Sequence, residues 1–121
     1  MGNVKSSKAK GRTGQQEIRD KLLAAFPEFQ PDDIKSATMG EGGADIQLSP
    51  AAFRKLTLSI EVKRRKSPLK TIHGWLDQAR THTTGDPVVF YRADRGEWLV
   101  ILPADDYIQL LKDRKKDVEK D

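Results

Sequence analysis

The sequence predicts a mixed α/β domain, a sheet flanked by helices in the order helix, three strands, helix, two strands, helix. Three observations predict it. Apolar residues recur at helical spacing in three stretches: Ile18, Leu22, Leu23 and Phe26; Ile72, Trp75, Leu76 and Ala79; Ala104, Tyr107, Ile108 and Leu111. Between the helical stretches, residues 44–48 and 56–63 alternate apolar and polar, as half-buried strands do. Proline and glycine punctuate the joints, at Pro27, Ser49-Pro50, Ser67-Pro68 and Gly85-Asp86-Pro87.

Residues 1–12, MGNVKSSKAKGR, hold a single valine among small, polar and basic residues, so they read as a flexible basic arm. Lys8, Lys10 and Arg12 would let that arm lie on phosphates. Thr13 and Gln16 make a capping-box pattern, which starts the first helix at Thr13 and places Glu17 in its first turn. There a carboxylate complements the positive helix end. Pro27 ends the helix, and a short first strand is expected within residues 33–39. Residues 40–43, GEGG, demand a turn or a close backbone approach. In the next strand, residues 44–48, Ile46 and Leu48 point one way and Asp45 and Gln47 the other. Ser49-Pro50 breaks it, residues 51–55 connect, and the strand over residues 56–63 turns Leu56, Leu58, Ile60 and Val62 to the core.

The second helix spans residues 69–82. Residues 88–92 and 98–102 read as a hairpin around Ala93-Asp94-Arg95-Gly96, and the last helix follows Pro103. Residues 112–121 are almost all charged and read as a fraying tail, leaving residues 13–111 as one domain.

The chain of 121 residues carries a net charge of +4, which favours polyanionic partners. It has no cysteine, which excludes a disulfide framework and a thiolate metal site. No apolar run approaches a membrane span and no signal-peptide pattern opens the chain, so a soluble cytoplasmic protein is expected. The Gly-rich loop lacks the G-K-[ST] of a phosphate loop, so no nucleotide cofactor is expected. His73 and His82 are too far apart in sequence for a zinc pair on one helix, and both read as surface residues. Trp75 and Trp98 could stack on bases, but their apolar surroundings favour core or dimer packing, and Tyr107 reads as core.

The chemistry concentrates in LSIEVKRRK, residues 58–66. Pairing residues 44–48 with 56–63 as antiparallel neighbours, Leu48 facing Leu58, puts Asp45 opposite Glu61; a register shifted by two would also keep the apolar faces together. Two carboxylates side by side repel. Lys63, on the same face as Glu61, half cancels them, and a divalent cation would complete the balance. Oxygen ligands suit Mg²⁺, with Mn²⁺ substituting. Lys63 could then orient or deprotonate a water or stabilise charge on a phosphorane, while Arg64, Arg65 and Lys66 meet a nucleic-acid backbone. The plainer alternative is a surface pair of Glu61 with Lys63, and Asp45 capping a turn.

Asp45 followed by Glu61-Val62-Lys63 resembles the D…(E/D)xK motif of the PD-(D/E)xK nuclease superfamily. The element order resembles its restriction-endonuclease-like αβββαβ core, a mixed central sheet flanked by helices. Within the superfamily the chain looks most like the small Holliday junction resolvases of archaea and phages, through KGRTGQQE, KSATMGEGGAD, IEVK with its basic continuation, and RGEWLVI. Ala44 stands where the superfamily name has proline, and the connection from Asp45 to Glu61 is longer than in compact members.

The resemblance implies that Asp45, Glu61 and the Val62 carbonyl bind Mg²⁺, that Lys63 is catalytic, and that Glu17 is an accessory acid. It also implies Ser36 near the scissile phosphate, with Glu41 competing as an extra acid and Gln78 approaching from the second helix. The implied activity is a Mg²⁺-dependent endonuclease on branched DNA, working as a homodimer. A nicking or restriction-like nuclease on linear DNA and a non-catalytic nucleic-acid-binding module are the alternatives.

Overall fold

A computed structural model describes residues 4–37, 43–82 and 84–120, with side chains for all of these except 4–8 and 115–120. The first helix, α1 (Val4–Ala25), starts at Val4 instead of Thr13. The lysines, alanine and arginine expected to form an arm are strong helix formers, and they extend a helix whose later turns dock on the core. Thr13 caps nothing: its hydroxyl donates to the Ala9 carbonyl at 2.9 Å, one turn back inside the helix.

A 3₁₀ turn, Pro31–Asp33, leads into β1 (Ile34–Ser36), which pairs antiparallel with β2 (Ile46–Leu48) in the register Ile34–Leu48, Lys35–Gln47, Ser36–Ile46. Of the expected 40–43 turn, residues 40–42 lie outside the described residues; Gly43 takes φ +94°, where glycine is favoured. The connection after Ser49-Pro50 is a helix, α2 (Pro50–Leu56). Ser49 is its N-cap, accepting from the Ala52 N–H at 3.1 Å, and Pro50 occupies the first turn, where its missing N–H costs nothing. Leu56 therefore ends a helix and does not begin a strand. Thr57 closes α2 at φ +51°, with its N–H donating to the Phe53 carbonyl at 2.7 Å. Beyond it, one antiparallel bridge, Ile46 to Ile60, represents the expected 56–63 strand.

The chain divides into two compact units, Met1–Lys66 with Lys115–Asp121, and Ser67–Arg114. In the first, α1 packs on β1. Leu22, Phe26, Phe29, Ile34, Ile46, Ala52 and Leu56 form the buried core. Arg19 ties helix to strand, its Nε donating to the Ile34 carbonyl at 2.8 Å. Asp33 is a second tie: Oδ1 accepts from the Ser49 hydroxyl at 2.7 Å and Oδ2 from the Gln30 N–H at 2.8 Å. The Ser49 hydroxyl, and after it the Gln30 N–H, hold the Asp33 carboxyl below its usual pKa.

The second unit holds α3 (Lys70–His82), a hairpin of β3 (Val89–Tyr91) and β4 (Leu99–Ile101), and the first part of α4 (Ala104–Lys120). Among the described residues, Leu76 and Leu111 are its buried side chains, and the Trp75 and Tyr91 rings stack with centroids 5.4 Å apart. The hairpin pairs Val89–Ile101, Phe90–Val100 and Tyr91–Leu99. The turn is closed by the Gly96 N–H on the Ala93 carbonyl at 3.0 Å.

Among the described residues the strands thus form two separate two-stranded antiparallel sheets, where the element order suggested one mixed sheet. The tight turn lets β3 and β4 satisfy each other. Tyr107, expected in the core, is 41% exposed, and Trp98, expected in core or dimer packing, is 63% exposed and so lies outside the core. For Trp98, apolar neighbours in sequence did not signal burial because this hairpin leaves apolar side chains in water on both faces. The charged segment expected as a tail continues α4 as far as Lys120.

Candidate metal centre

The Ile46–Ile60 bridge is the register in which Leu48 faces Leu58 and Asp45 faces Glu61, as the alternation predicts. Two further contacts fix Asp45 on this segment. Its N–H donates to the Ile60 carbonyl at 2.9 Å, and its carboxylate Oδ2 accepts from the Val62 N–H at 2.8 Å. Asp45 therefore reaches across to the E-x-K segment and does not cap a turn of its own. Burial keeps the period of two past Leu56: Leu58, Ile60 and Val62 are half-buried, and Ser59, Glu61 and Lys63 are exposed. Glu61 and Lys63 consequently share the outer face, where Lys63 Nζ lies 3.6 Å from Glu61 Oε2.

Helix α1 lies against the same segment because Gly14 allows it. A Cβ at Gly14 would stand 3.3 Å from Arg64 Cβ and 3.4 Å from Val62 Cγ1. The sequence signal for this contact was a glycine inside a helical stripe, where it costs helix stability unless a close approach needs it. Glu17 follows Gly14 by one turn and is exposed. Among the described residues no group of three His, Asp or Glu side chains is placed to hold a metal, so Glu17 does not join Asp45 and Glu61 in one cluster. Ser36 is half-buried at the end of β1 opposite Ile46, and the next residue, Ala37, donates its N–H to the Asp45 carbonyl at 2.8 Å.

The basic candidates divide. Arg64, Arg65 and Lys66 are an exposed cationic run directly after Lys63. Lys10 and Arg12 lie on α1, half-buried and exposed respectively; Lys8 is in the same helix with its side chain outside the described residues. Glu41 also lies outside the described residues. Gln78 is exposed on α3, in the second unit.

The donor set suits a hard divalent cation. Mg²⁺ keeps several waters and takes one or two carboxylates together with substrate phosphate oxygens. Asp45 and Glu61, opposite one another in this register, would supply that number, and the Val62 carbonyl would add a neutral oxygen. The Glu61–Lys63 contact is exposed, Lys63 by 78% and Glu61 by 63%, so it contributes little to stability. The pair can therefore open toward a ligand at little cost to the fold. Compared with protein-family models, curated proteins and solved structures, the chain matches none.

Proposed function

We propose that the chain is a metal-dependent endonuclease that hydrolyses DNA phosphodiesters, selective for branched DNA such as a Holliday junction and acting in the cytoplasm as a homodimer. The observation that carries this reading is the Asp45 carboxylate hydrogen-bonded to the Val62 N–H, in the register that puts Asp45 opposite Glu61. Support for a PD-(D/E)xK arrangement comes from Lys63 beside Glu61 on the exposed face.

Asp45 and Glu61, with the Val62 carbonyl, would hold Mg²⁺ or Mn²⁺. When bound, that cation supplies polarisation of a phosphoryl oxygen and a water of lowered pKa. The chain's own groups do the rest. The Val62 N–H fixes one Asp45 oxygen, so the carboxylate is oriented before any ligand arrives. Lys63 presents its ammonium to the phosphate and donates hydrogen bonds to the oxygen on which charge develops. Arg64, Arg65 and Lys66 grip the flanking phosphates, so the strand is held by its backbone and not by its sequence. Cutting two strands of a junction at fixed separation needs two such sites, hence the symmetric dimer.

The test is cleavage of labelled four-way junction, flap and matching linear duplex, with Mg²⁺ and with EDTA. Metal-dependent cutting of the junction with the duplex spared is expected. Cutting of linear duplex alone would move the reading to a nicking or restriction-like enzyme. A second reading, a silent DNA-binding module on the same basic surface, is favoured by the Glu61–Lys63 pair, which already neutralises one acid. Salt-sensitive binding with no cutting under any condition would establish it.

A further inference from the structure

We propose that the second unit carries a stacking site for an unpaired base of single-stranded nucleic acid, built from Trp98, Phe90 and Arg92 beside the stacked Trp75 and Tyr91 rings. The site needs no metal and stands apart from cleavage.

The register of the β3–β4 hairpin, Phe90 opposite Val100, turns Val88, Phe90, Arg92, Trp98 and Val100 to one face. Phe90 is 66% exposed and Trp98 63% exposed, large apolar surfaces left in water. Beside them a groove of about 490 Å³ is lined by Trp75, Gln78, His82, Phe90, Arg92 and Trp98 among others. That volume falls within the range of ligand-binding pockets, roughly 300–1,000 Å³.

The chemistry of the lining selects the occupant. The Arg92 guanidinium sits over the Trp98 ring, 5.3 Å from its centroid; on the other face of β3, where the register turns Tyr91, Trp75 stacks on Tyr91 with the rings 26° from parallel, and both line the same groove. Flat rings with an adjacent cation suit a flat aromatic group carrying negative charge, which describes a nucleotide. Among the described residues lining the groove there is no carboxylate to repel a phosphate. Gln78 and His82 bring an amide and an imidazole to the same groove, both able to bond a base edge. An apolar surface packed on this face would strip water from the Arg92 guanidinium with no carboxylate in the groove lining to replace it, which is costly.

The experiment uses the full chain in EDTA. Fluorescence anisotropy compares a labelled oligothymidine with an abasic phosphodiester of equal length, so the phosphates match and only the bases differ. The oligothymidine should bind about 5- to 100-fold more tightly. Trp98→Ala should remove that preference and leave affinity for the abasic strand unchanged; Trp98→Phe should keep most of it. Equal affinity for the two strands, binding to neither, or a preference that survives Trp98→Ala would each overturn the proposal. So would a Trp98→Ala chain that sediments as a monomer where the parent is a dimer, with base preference intact; the face would then serve self-association. Absence of cutting by the parent chain with Mg²⁺, alongside a base preference retained in EDTA, would leave this site standing and count only against the nuclease reading.

Discussion

Alanine at Gly14, compared with alanine at Gly11, tests whether α1 presses on the segment that bears Glu61 and Lys63. In an exposed helix interior, glycine to alanine gains about 0.5–1 kcal/mol. A Cβ added at Gly11 would meet nothing within 4 Å, so Gly11→Ala should gain that amount. At Gly14 the same gain is opposed by contacts of 3.3 Å to Arg64 Cβ and 3.4 Å to Val62 Cγ1. Arg64 Cβ is fixed to the main chain and cannot swing aside. Residues 62–64 must shift instead, and overpacking of that kind costs about 1–3 kcal/mol. The cost exceeds the gain, and Gly14→Ala should lose about 1 kcal/mol net. Urea unfolding followed by far-UV circular dichroism measures both variants. Tryptophan fluorescence is the wrong probe, because Trp75 and Trp98 both lie in the second unit. A Gly14→Ala chain as stable as Gly11→Ala would refute the contact between α1 and the E-x-K segment.

Three further outcomes follow from the first unit. Thr57 sits at φ +51°, where a β-branched residue is strained, so Thr57→Gly should raise stability by about 1 kcal/mol in urea unfolding; its hydroxyl bond to the Phe53 carbonyl duplicates one its own N–H already makes. Ser49→Ala removes the α2 N-cap and a partner of Asp33 together, and should cost about 1–2 kcal/mol on the same measurement. Asp33, whose folded pKa is lowered, adds stability that is complete above the usual carboxylate pKa, about 3.9, and is lost as pH falls through the folded value. Parent and Asp33→Asn should therefore differ most near neutrality and converge in strong acid; a gap in melting temperature that widens on acidification would contradict the assignment.

The register around the candidate centre was legible in the sequence because a period of two leaves little choice. Sliding by one residue would expose Ile46 and Ile60 and bury Asp45 and Glu61, and the observed bridge is Ile46 to Ile60. α3 and the hairpin were legible for the same reason, through strong periodicity and turn residues. What the pattern obscured was local competition. Ser49-Pro50 signals both a strand breaker and a helix start, and α2 is too short for periodicity to decide between them; the buried pair Ala52 and Leu56 shows the outcome. Leu56 fitted the strand alternation by parity alone. The helix start was placed at Thr13 and not at Val4 because the charge of residues 4–12 outweighed their helix propensity. Tyr107 was placed in the core, and Trp98 in core or dimer packing, on hydrophobicity, a property that does not distinguish packing from an exposed binding face. Gly14 carried a signal that only a neighbouring segment could explain.

Asp45 allows the site to be separated from the fold. Its Oδ2 accepts the Val62 N–H, and an asparagine carbonyl can accept the same bond, so Asp45→Asn removes charge while keeping the contact. Glu61 and Lys63 are exposed, so Glu61→Gln and Lys63→Ala should leave unfolding nearly unchanged, within about 0.5 kcal/mol.

The metal-site reading is tested most directly by purifying the parent and Asp45→Asn in parallel and measuring Mg²⁺-dependent cleavage and DNA binding on the same labelled junction. Cleavage should vanish in Asp45→Asn while junction affinity is kept or tightened, since one negative charge beside the phosphate is gone. An Asp45→Asn chain, free of contaminating nuclease, that cuts as fast as the parent would contradict the assignment.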